Sequence, residues 1–227
     1  RDRFMIVLKI GEKERVMTVD RKQRVINEVW SAITHGVGAA LGIWMLVLLI
    51  LKGAATHDLK TIMAFIVYGT SMLLLYLFST LFHCLYFTKA KRVFQIFDHS
   101  GIYLMIAGTY TPYCLLAIKG SLGYALLFAV WVLALAGIGY HILARNRKQV
   151  VETIIYVVMG WMCVCGFRPM YLSLGKNGLL LLFLGGVVYT LGALVYSIKG
   201  VKYAHVWWHM LVMIGSGLMF LSIYFYL

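Results

Sequence analysis

The feature that most constrains this chain is a series of long apolar segments that follow one another from residue 30 to the last residue. Seven segments can be delimited, at residues 30–51, 61–87, 101–118, 122–143, 153–172, 178–198 and 204–227. A helix needs about 20 apolar residues to cross the ~30 Å hydrocarbon layer of a bilayer. Backbone groups in lipid must be satisfied within the segment, which favours helices. The sequence therefore predicts an all-α membrane protein, a seven-transmembrane-helix bundle.

Charge content supports the same conclusion. Only 13% of the residues are charged, whereas soluble domains carry about 25%. The fifth segment is the weakest, because Arg168 and Pro169 interrupt it, so six spans is the alternative count.

Orientation follows from the lysines and arginines. Residues 1–29 and the loops near residues 88–97, 144–152 and 199–203 carry eight, three, three and two of them, sixteen of the 21. Since cytoplasmic loops are enriched in basic residues, we expect the N-terminus in the cytoplasm and the C-terminus outside. The net charge of +13 reflects this asymmetry, and no separate basic domain points to nucleic acid.

The first residues form a different kind of segment. Residues 1–27 are polar, lack an apolar signal-peptide core, and alternate apolar side chains at Phe4, Ile6 and Leu8. Alternation of this kind indicates strands, so residues 1–27 are interpreted as a cytoplasmic segment with a small hairpin. Residues 28–227 are interpreted as the membrane domain.

Ionisable side chains inside the apolar segments or just before their first residues are the candidates for function. Such a residue costs roughly 2.5–3.5 kcal/mol at mid-helix on insertion scales and needs a reason to persist. The candidates are Glu28, His35, His83, Asp98, His99, His141, His205 and His209. We expect His141 to lie at the membrane boundary, and we leave the roles of Glu28, His35 and His99 open.

Three of these histidines are predicted to meet. His205 and His209 are four residues apart and therefore share a helix face. With the predicted topology, His83 at the end of the second span and Asp98 at the start of the third lie at the same depth as that pair. Three histidines with one open position are the usual ligands of catalytic zinc. For the pair His205 and His209, the alternative is two helix-end histidines hydrogen-bonded to neighbours.

Ser79 lies one turn before His83 and could hydrogen-bond close to a bound metal. The alternative for Ser79 is a local bond to its own backbone.

Three motifs together carry a resemblance to a known family. They are Ser79-x-x-x-His83, the run from Asp98 to Pro112 (DHSGIYLMIAGTYTP), and His205-x-x-x-His209 followed by Gly215-Ser216. They resemble the progestin and adipoQ receptor family, in particular its bacterial hemolysin III-like branch, also called membrane homeostasis proteins. Residues 28–36 resemble the first helix of that family, so the likeness extends from Glu28 to the end of the chain.

The resemblance implies a zinc ion bound by His83, His205 and His209, with Asp98 and Ser79 at the additional polar positions. It also implies a multi-pass protein of the bacterial plasma membrane, whose partners are membrane lipids. The wider superfamily includes alkaline ceramidases, which are zinc-dependent amide hydrolases. We therefore expect either a hydrolase of lipid amides or esters, or a non-enzymatic sensor or regulator of the membrane with a structural zinc. A cytolytic pore is a third reading, although no ring of charges supports it.

Overall fold

The computed structural model describes residues 2–144, 146, 148–197 and 203–227, with side chains from residue 21 onward. Those residues form helices and turns, with no strand among them. The helices are α1 (Asp2–Ala55), α2 (Leu59–Cys84), α3 (Lys91–Pro112), α4 (Gly120–Leu143), α5 (Gln149–Trp161), α6 (Phe167–Ser197) and α7 (Ala204–Tyr226). The expected all-helical architecture is confirmed.

Six helical segments of the described chain are long and apolar enough to cross a membrane. Large apolar side chains cover their outer surfaces; Phe128 and Leu172, for example, are 73% and 74% exposed. Apolar surface of this extent is not stable in water. The chain is therefore a multi-pass membrane protein.

One of the six segments differs from the others in length. Gln149–Ser197 spans 49 residues, and a straight helix of that length would measure ~74 Å, more than twice the ~30 Å hydrocarbon layer. It is interrupted by a 3₁₀ turn at Met162–Gly166 and again at Gly175, whose φ of 65° is non-helical.

The start of the chain differs from the interpretation of residues 1–27 as a hairpin. α1 begins at Asp2 and continues without a break to Ala55. Lys, Glu and Arg are good helix formers and fill much of residues 9–15, which competes with the strand signal of the alternating apolar residues. Arg145, Arg147, Lys199 and Lys202, which contributed to the orientation argument, lie outside the described residues.

The helices form a closed ring. Each helix packs against the next along the chain, and α7 packs against α1. α3 is the most enclosed, with 72% of its most apolar stretch buried, against 22% for α1. Pro112 has no backbone N–H to donate to the α-helical hydrogen-bond pattern. After it, α3 passes into a π-helical turn at Tyr113–Ile118.

Lys52 joins α1 to the last turn of α7. Its ammonium donates a hydrogen bond to the backbone carbonyl of Tyr224 and lies 5.3 Å and 5.7 Å from the ring centroids of Tyr224 and Phe65. A cation is favoured near the carbonyl end of a helix and over aromatic faces. We call this contact the Lys52 clasp.

Two glycines of α4 have different surroundings. A Cβ on Gly137 would overlap the ring of Tyr103, which is fully buried and packs on Tyr156 with ring centroids 4.5 Å apart. A Cβ on Gly139, which lies two residues after Gly137, would meet nothing within 4 Å. α3 and α4 can therefore approach closely at Gly137 only because that side chain is absent.

We expect Gly137→Ala to lower the free energy of unfolding by about 1–3 kcal/mol, the usual cost of overpacking a core. The measurement is thermal or denaturant unfolding of the purified protein in detergent. Gly139→Ala is the matched control and should be neutral or slightly stabilising. Equal stability of the two variants would contradict the packing of Tyr103 on Gly137.

Candidate metal centre

Three imidazoles meet at the end of the bundle where α2 ends and α7 begins, which we call the histidine end. His83 lies in the last turn of α2 and His205 and His209 in the first two turns of α7. One ring nitrogen from each can be chosen so that all three lie within 4.8 Å of one another. His83 and His209 are buried and His205 is half-buried. The structure thus brings together the three histidines expected from the sequence, and the cluster could hold a metal ion.

Hydrogen bonds to α1 fix which nitrogen of two of these rings is available. His83 Nδ1 lies 2.7 Å from Glu28 Oε2, and His209 Nδ1 lies 3.3 Å from the carbonyl oxygen of Ser31. A carboxylate and a carbonyl only accept hydrogen bonds, so each Nδ1 carries the proton and donates. In the neutral rings, each Nε2 is left with a free lone pair. A metal-binding histidine commonly has this arrangement.

The spacing of the nitrogens also suits a metal ion. His205 Nε2 lies 3.1 Å from His83 Nε2. Two nitrogens bound 2.0–2.1 Å from a tetrahedral zinc ion would be separated by roughly 3.3 Å. The same 3.1 Å would also suit an N–H···N hydrogen bond between the two rings. The donor set and its spacing therefore fit an ion, although they do not identify the element.

α1 supplies the groups that orient the cluster, and sequence reasoning had left their partners open. Glu28, Ser31 and His35 repeat at intervals of three and four residues, so they share one face of α1. Thr34 is turned toward the same place, and its hydroxyl lies 3.3 Å from His209 Nδ1. The sequence could have indicated these partners, because polar residues recur on one face at the start of the apolar part of α1.

Asp98 and Ser79 lie beside the cluster rather than within it. Both are buried, with 8% and 0% of their surface exposed, and both line the same cavity as His205 and His209. Among the described residues, the metal-capable group consists of the three histidines without Asp98. Ser79 Oγ has no hydrogen-bond partner in the described part of the chain, so the local backbone bond considered for it is not formed.

A second buried polar cluster joins α3, α4 and α5. His141 Nδ1 lies 2.7 Å from Glu152 Oε1, and the His141 ring stacks on that of His99, with centroids 4.8 Å apart. His99 Nδ1 in turn donates to the carbonyl of Gln95 over 2.9 Å. His141, which is expected at the membrane boundary, is thus also buried, with 2% of its surface exposed, and paired with a carboxylate. Sequence reasoning missed Glu152 because it was counted with the loop at residues 144–152.

An elongated apolar cavity of about 430 Å³ leads away from the histidine end. Its acidic and histidine side chains lie there, whereas Lys176 and Thr109 line it farther along. Most of its remaining wall is formed by apolar and aromatic side chains of α3, α5, α6 and α7, such as Met105, Trp161, Leu182 and Phe183. A concave apolar site with a few convergent polar groups is typical of small-molecule binding. His83 does not line this cavity, whereas His205 and His209 do. A ligand in the cavity therefore approaches the cluster from the side of α7, Asp98 and Ser79.

The hydrogen bond from His83 to Glu28 generates a testable prediction. Glu28→Gln removes the carboxylate that orients His83, and we expect metal affinity to fall about 10–100-fold, the usual effect of losing such a partner. His83→Ala and His209→Ala should lose stoichiometric metal altogether. The measurement is metal content after dialysis against graded chelator. Glu152→Gln removes the carboxylate of the other buried pair and is the matched control. Unchanged metal content in both histidine variants would refute the metal site.

Known proteins are similar in sequence to this chain over most of its length. The sequence model of the family described as "Haemolysin-III related" matches residues 23–220, which include all three histidines. The chain is 42% identical over 204 residues to "Hemolysin-3" of Bacillus cereus, covering 90% of this chain and 93% of the relative. It is 45% identical over 200 residues to "Hemolysin-3 homolog" of Bacillus subtilis (strain 168), covering 88% and 94%. "Monocyte to macrophage differentiation factor" of Homo sapiens is 29% identical over 170 residues, covering 71% and 69%.

Proposed function

Since this chain belongs to the haemolysin-III-related family of membrane proteins, we propose that it is a zinc-dependent hydrolase of lipid amides or esters, acting in membrane lipid homeostasis. One observation carries the proposal. The three imidazoles, two of them with Nε2 freed by bonds to α1, meet where His205 and His209 border an apolar cavity, beside the buried carboxyl group of Asp98.

The donor set favours zinc. Three histidine nitrogens with one position left for solvent or substrate are typical of catalytic zinc sites, whereas structural zinc sites are usually closed by four protein ligands. Asp98 stands outside the group of possible ligands, which leaves the fourth position open. Bound zinc would supply a Lewis acid for a carbonyl oxygen and an activated water at neutral pH.

Asp98 is the group best placed to accept the proton of an attacking water. Its carboxyl group is buried, lines the cavity at the histidine end, and has His99 Nδ1 3.7 Å from Oδ2. A base in this position can afterwards return the proton to the leaving amine or alcohol. His83 and His209 are held by Glu28 and Ser31, so these two rings stay oriented while substrate enters and product leaves.

The substrate class follows from the cavity. Its apolar wall can exclude water and hold a hydrocarbon chain, while its polar end presents Asp98, Ser79 and two histidines to one polar group. An amide or ester carbonyl at the end of an acyl chain has both features. The substrate would reach the site from the surrounding lipid, so we propose membrane lipids as its source.

A structural zinc is the second candidate, and one observation favours it. The histidines come from α2 and α7, and two of them bond to α1, so an ion there would cross-link three helices of the ring. In that case the protein would act as a sensor or regulator of the membrane without hydrolysing lipid.

The two candidates are separated by Asp98→Asn. If Asp98 is the base, we expect the variant to retain its zinc and to lose lipid hydrolysis by about 10²–10⁴-fold, because general base catalysis contributes that much. The measurement is release of fatty acid from ceramide-like amides and from lipid esters by purified, zinc-loaded protein. Glu152→Gln, a second buried carboxyl in the cavity wall, is the matched control and should retain turnover.

Zinc-loaded wild-type protein that cleaves no lipid amide or ester would refute the hydrolase and leave the structural role. Equal turnover by wild type and Asp98→Asn would refute the assignment of the base.

We further propose that the chain crosses the bacterial plasma membrane seven times, with the N-terminus in the cytoplasm and the C-terminus outside. The helix break at Gly175 lies near the middle of the 49-residue segment and would divide it into two spans of 26 and 22 residues (149–174 and 176–197). Both lengths are suited to a hydrocarbon layer of ~30 Å. The histidine end would then face the cytoplasm.

Cysteine labelling tests this topology. In a variant without Cys84, Cys114, Cys163 and Cys165, we expect a membrane-impermeant maleimide to label Lys119→Cys and Lys176→Cys in intact cells. Asn146→Cys should react only after the cells are opened. A reporter fused after Leu227 should be outside. A reporter in the cytoplasm would instead indicate that residues 149–197 cross once.

A further inference from the structure

His35 is a buried imidazole whose two nitrogens have no hydrogen-bond partner in the described part of the chain. Only 2% of its surface is exposed, and it sits on α1 one turn beyond the residues that hold the histidine cluster. Buried polar groups are nearly always paired, and an exception calls for an explanation. The explanation depends on where the ring lies.

The ring of His35 is fixed by two neighbours. It stacks on His209 with centroids 3.5 Å apart and planes 8° apart, and it meets the ring of Tyr76 edge-on at 5.1 Å. Tyr76 itself is anchored by the hydrogen bond that its hydroxyl donates to Ser216 Oγ over 2.6 Å. The position of His35 is therefore determined by packing and not by hydrogen bonds of its own.

Stacking prevents His35 from joining the three histidines as a fourth ligand. The lone pair of an imidazole nitrogen lies in the plane of its ring. Because the planes of His35 and His209 are nearly parallel, their lone pairs cannot converge on one ion. His35 is accordingly not among the residues of the metal-capable group.

A second unpaired group faces the same space. Ser79 Oγ is completely buried and faces the carboxyl group of Asp98, but it makes no hydrogen bond of good geometry among the described residues. His35 and Ser79 both line the cavity at the histidine end, together with Asp98, His205 and His209. Two orphaned groups that can donate hydrogen bonds thus border the place where a ligand from the cavity would meet the metal.

We propose that His35 and Ser79 form a hydrogen-bonding subsite for the carbonyl oxygen of a ligand held at the open metal position. Neutral imidazole offers one N–H and serine one O–H, and donors placed in advance around a developing oxyanion are an effective means of stabilising it. This inference rests on the proposed metal site and assigns His35 as a residue that contacts substrate. Asp98 shares the space, so the subsite suits an uncharged amide or ester better than a carboxylate.

The test uses cobalt(II)-loaded protein and acetohydroxamic acid, which is neutral in solution and, after losing its hydroxyl proton, binds a metal through its carbonyl and hydroxamate oxygens. Binding is followed by the visible absorption of cobalt, independently of any lipid hydrolysis. His35→Phe keeps a flat ring for stacking on His209 and removes both nitrogens. We expect it to retain one cobalt per chain and to bind the probe at least ~10-fold more weakly, equivalent to about 1.4 kcal/mol.

Three further variants sharpen the result. Ser79→Ala should also weaken binding, and His35→Gln, which keeps an N–H, should bind more tightly than His35→Phe. Thr109→Val is the matched control, because Thr109 lines the cavity but already donates to the carbonyl of Met105 over 2.8 Å. It should bind the probe as the wild type does. Should His35→Phe fail to fold, Ser79→Ala and His35→Gln still carry the comparison with Thr109→Val.

Wild-type affinity in His35→Phe with cobalt retained would overturn the subsite, as would loss of cobalt from that variant. Wild-type protein that takes up no cobalt would overturn both the subsite and the metal centre. Probe binding with the expected pattern, in a protein that cleaves no lipid, would support the subsite and refute only the hydrolase.

Discussion

Polar groups inside a membrane bundle need partners, and in this protein the bond from His83 to Glu28 supplies one for a buried histidine of the metal-capable cluster. The carboxylate accepts the Nδ1 proton of His83 over 2.7 Å, which satisfies an ionisable group of α1 and fixes the tautomer of an imidazole on α2. Without it, both groups would be left in a low-dielectric interior, where an unpaired polar group is costly. The same bond turns Nε2 of His83 toward α7. This one hydrogen bond therefore both joins α1 to α2 and orients a ring of the histidine cluster.

Two polar clusters of similar chemistry divide the histidine end between them. One joins α1, α2 and α7 through Glu28 and the three histidines; the other joins α3, α4 and α5 through His99, His141 and Glu152. Each contains a histidine–carboxylate pair at 2.7 Å. They differ in what remains free. In the first cluster, ring nitrogens converge within 4.8 Å. In the second, the His99 and His141 rings are stacked with planes 19° apart, so their lone pairs lie in nearly parallel planes.

Much of this arrangement could be predicted from the sequence, and the parts that could not have a physical reason. The meeting of His83, His205 and His209 could be predicted from two regularities. Residues four apart share a helix face, and successive membrane helices alternate in direction. The partner of His141 could not be predicted in this way, because Glu152 lies across a turn and its pairing depends on how α4 and α5 pack. The stacking of His35 on His209 likewise depends on side-chain positions in three dimensions. At residues 2–27 the alternating apolar pattern misled the interpretation, since helix propensity over the same residues favours the continuous α1.

The Lys52 clasp has a mechanical consequence. α1 and α7 are joined at one end by the bonds of His209 to Ser31 and Thr34, and at the other by Lys52 and the carbonyl of Tyr224. Two helices attached at both ends behave as a frame, because sliding or splaying them would expose a cation or an imidazole to hydrocarbon. α6 packs on the other side of α7, to which it is joined by the hydrogen bond from Ser222 Oγ to the carbonyl of Gly178 over 2.8 Å. Gly175 and the preceding 3₁₀ turn, however, interrupt the helical hydrogen bonds of the segment that contains α5 and α6. Thermal motion of the bundle should therefore be largest in the interrupted segment of α5 and α6, while α1 and α7, which carry His209 and its hydrogen-bond partners, keep their relative position.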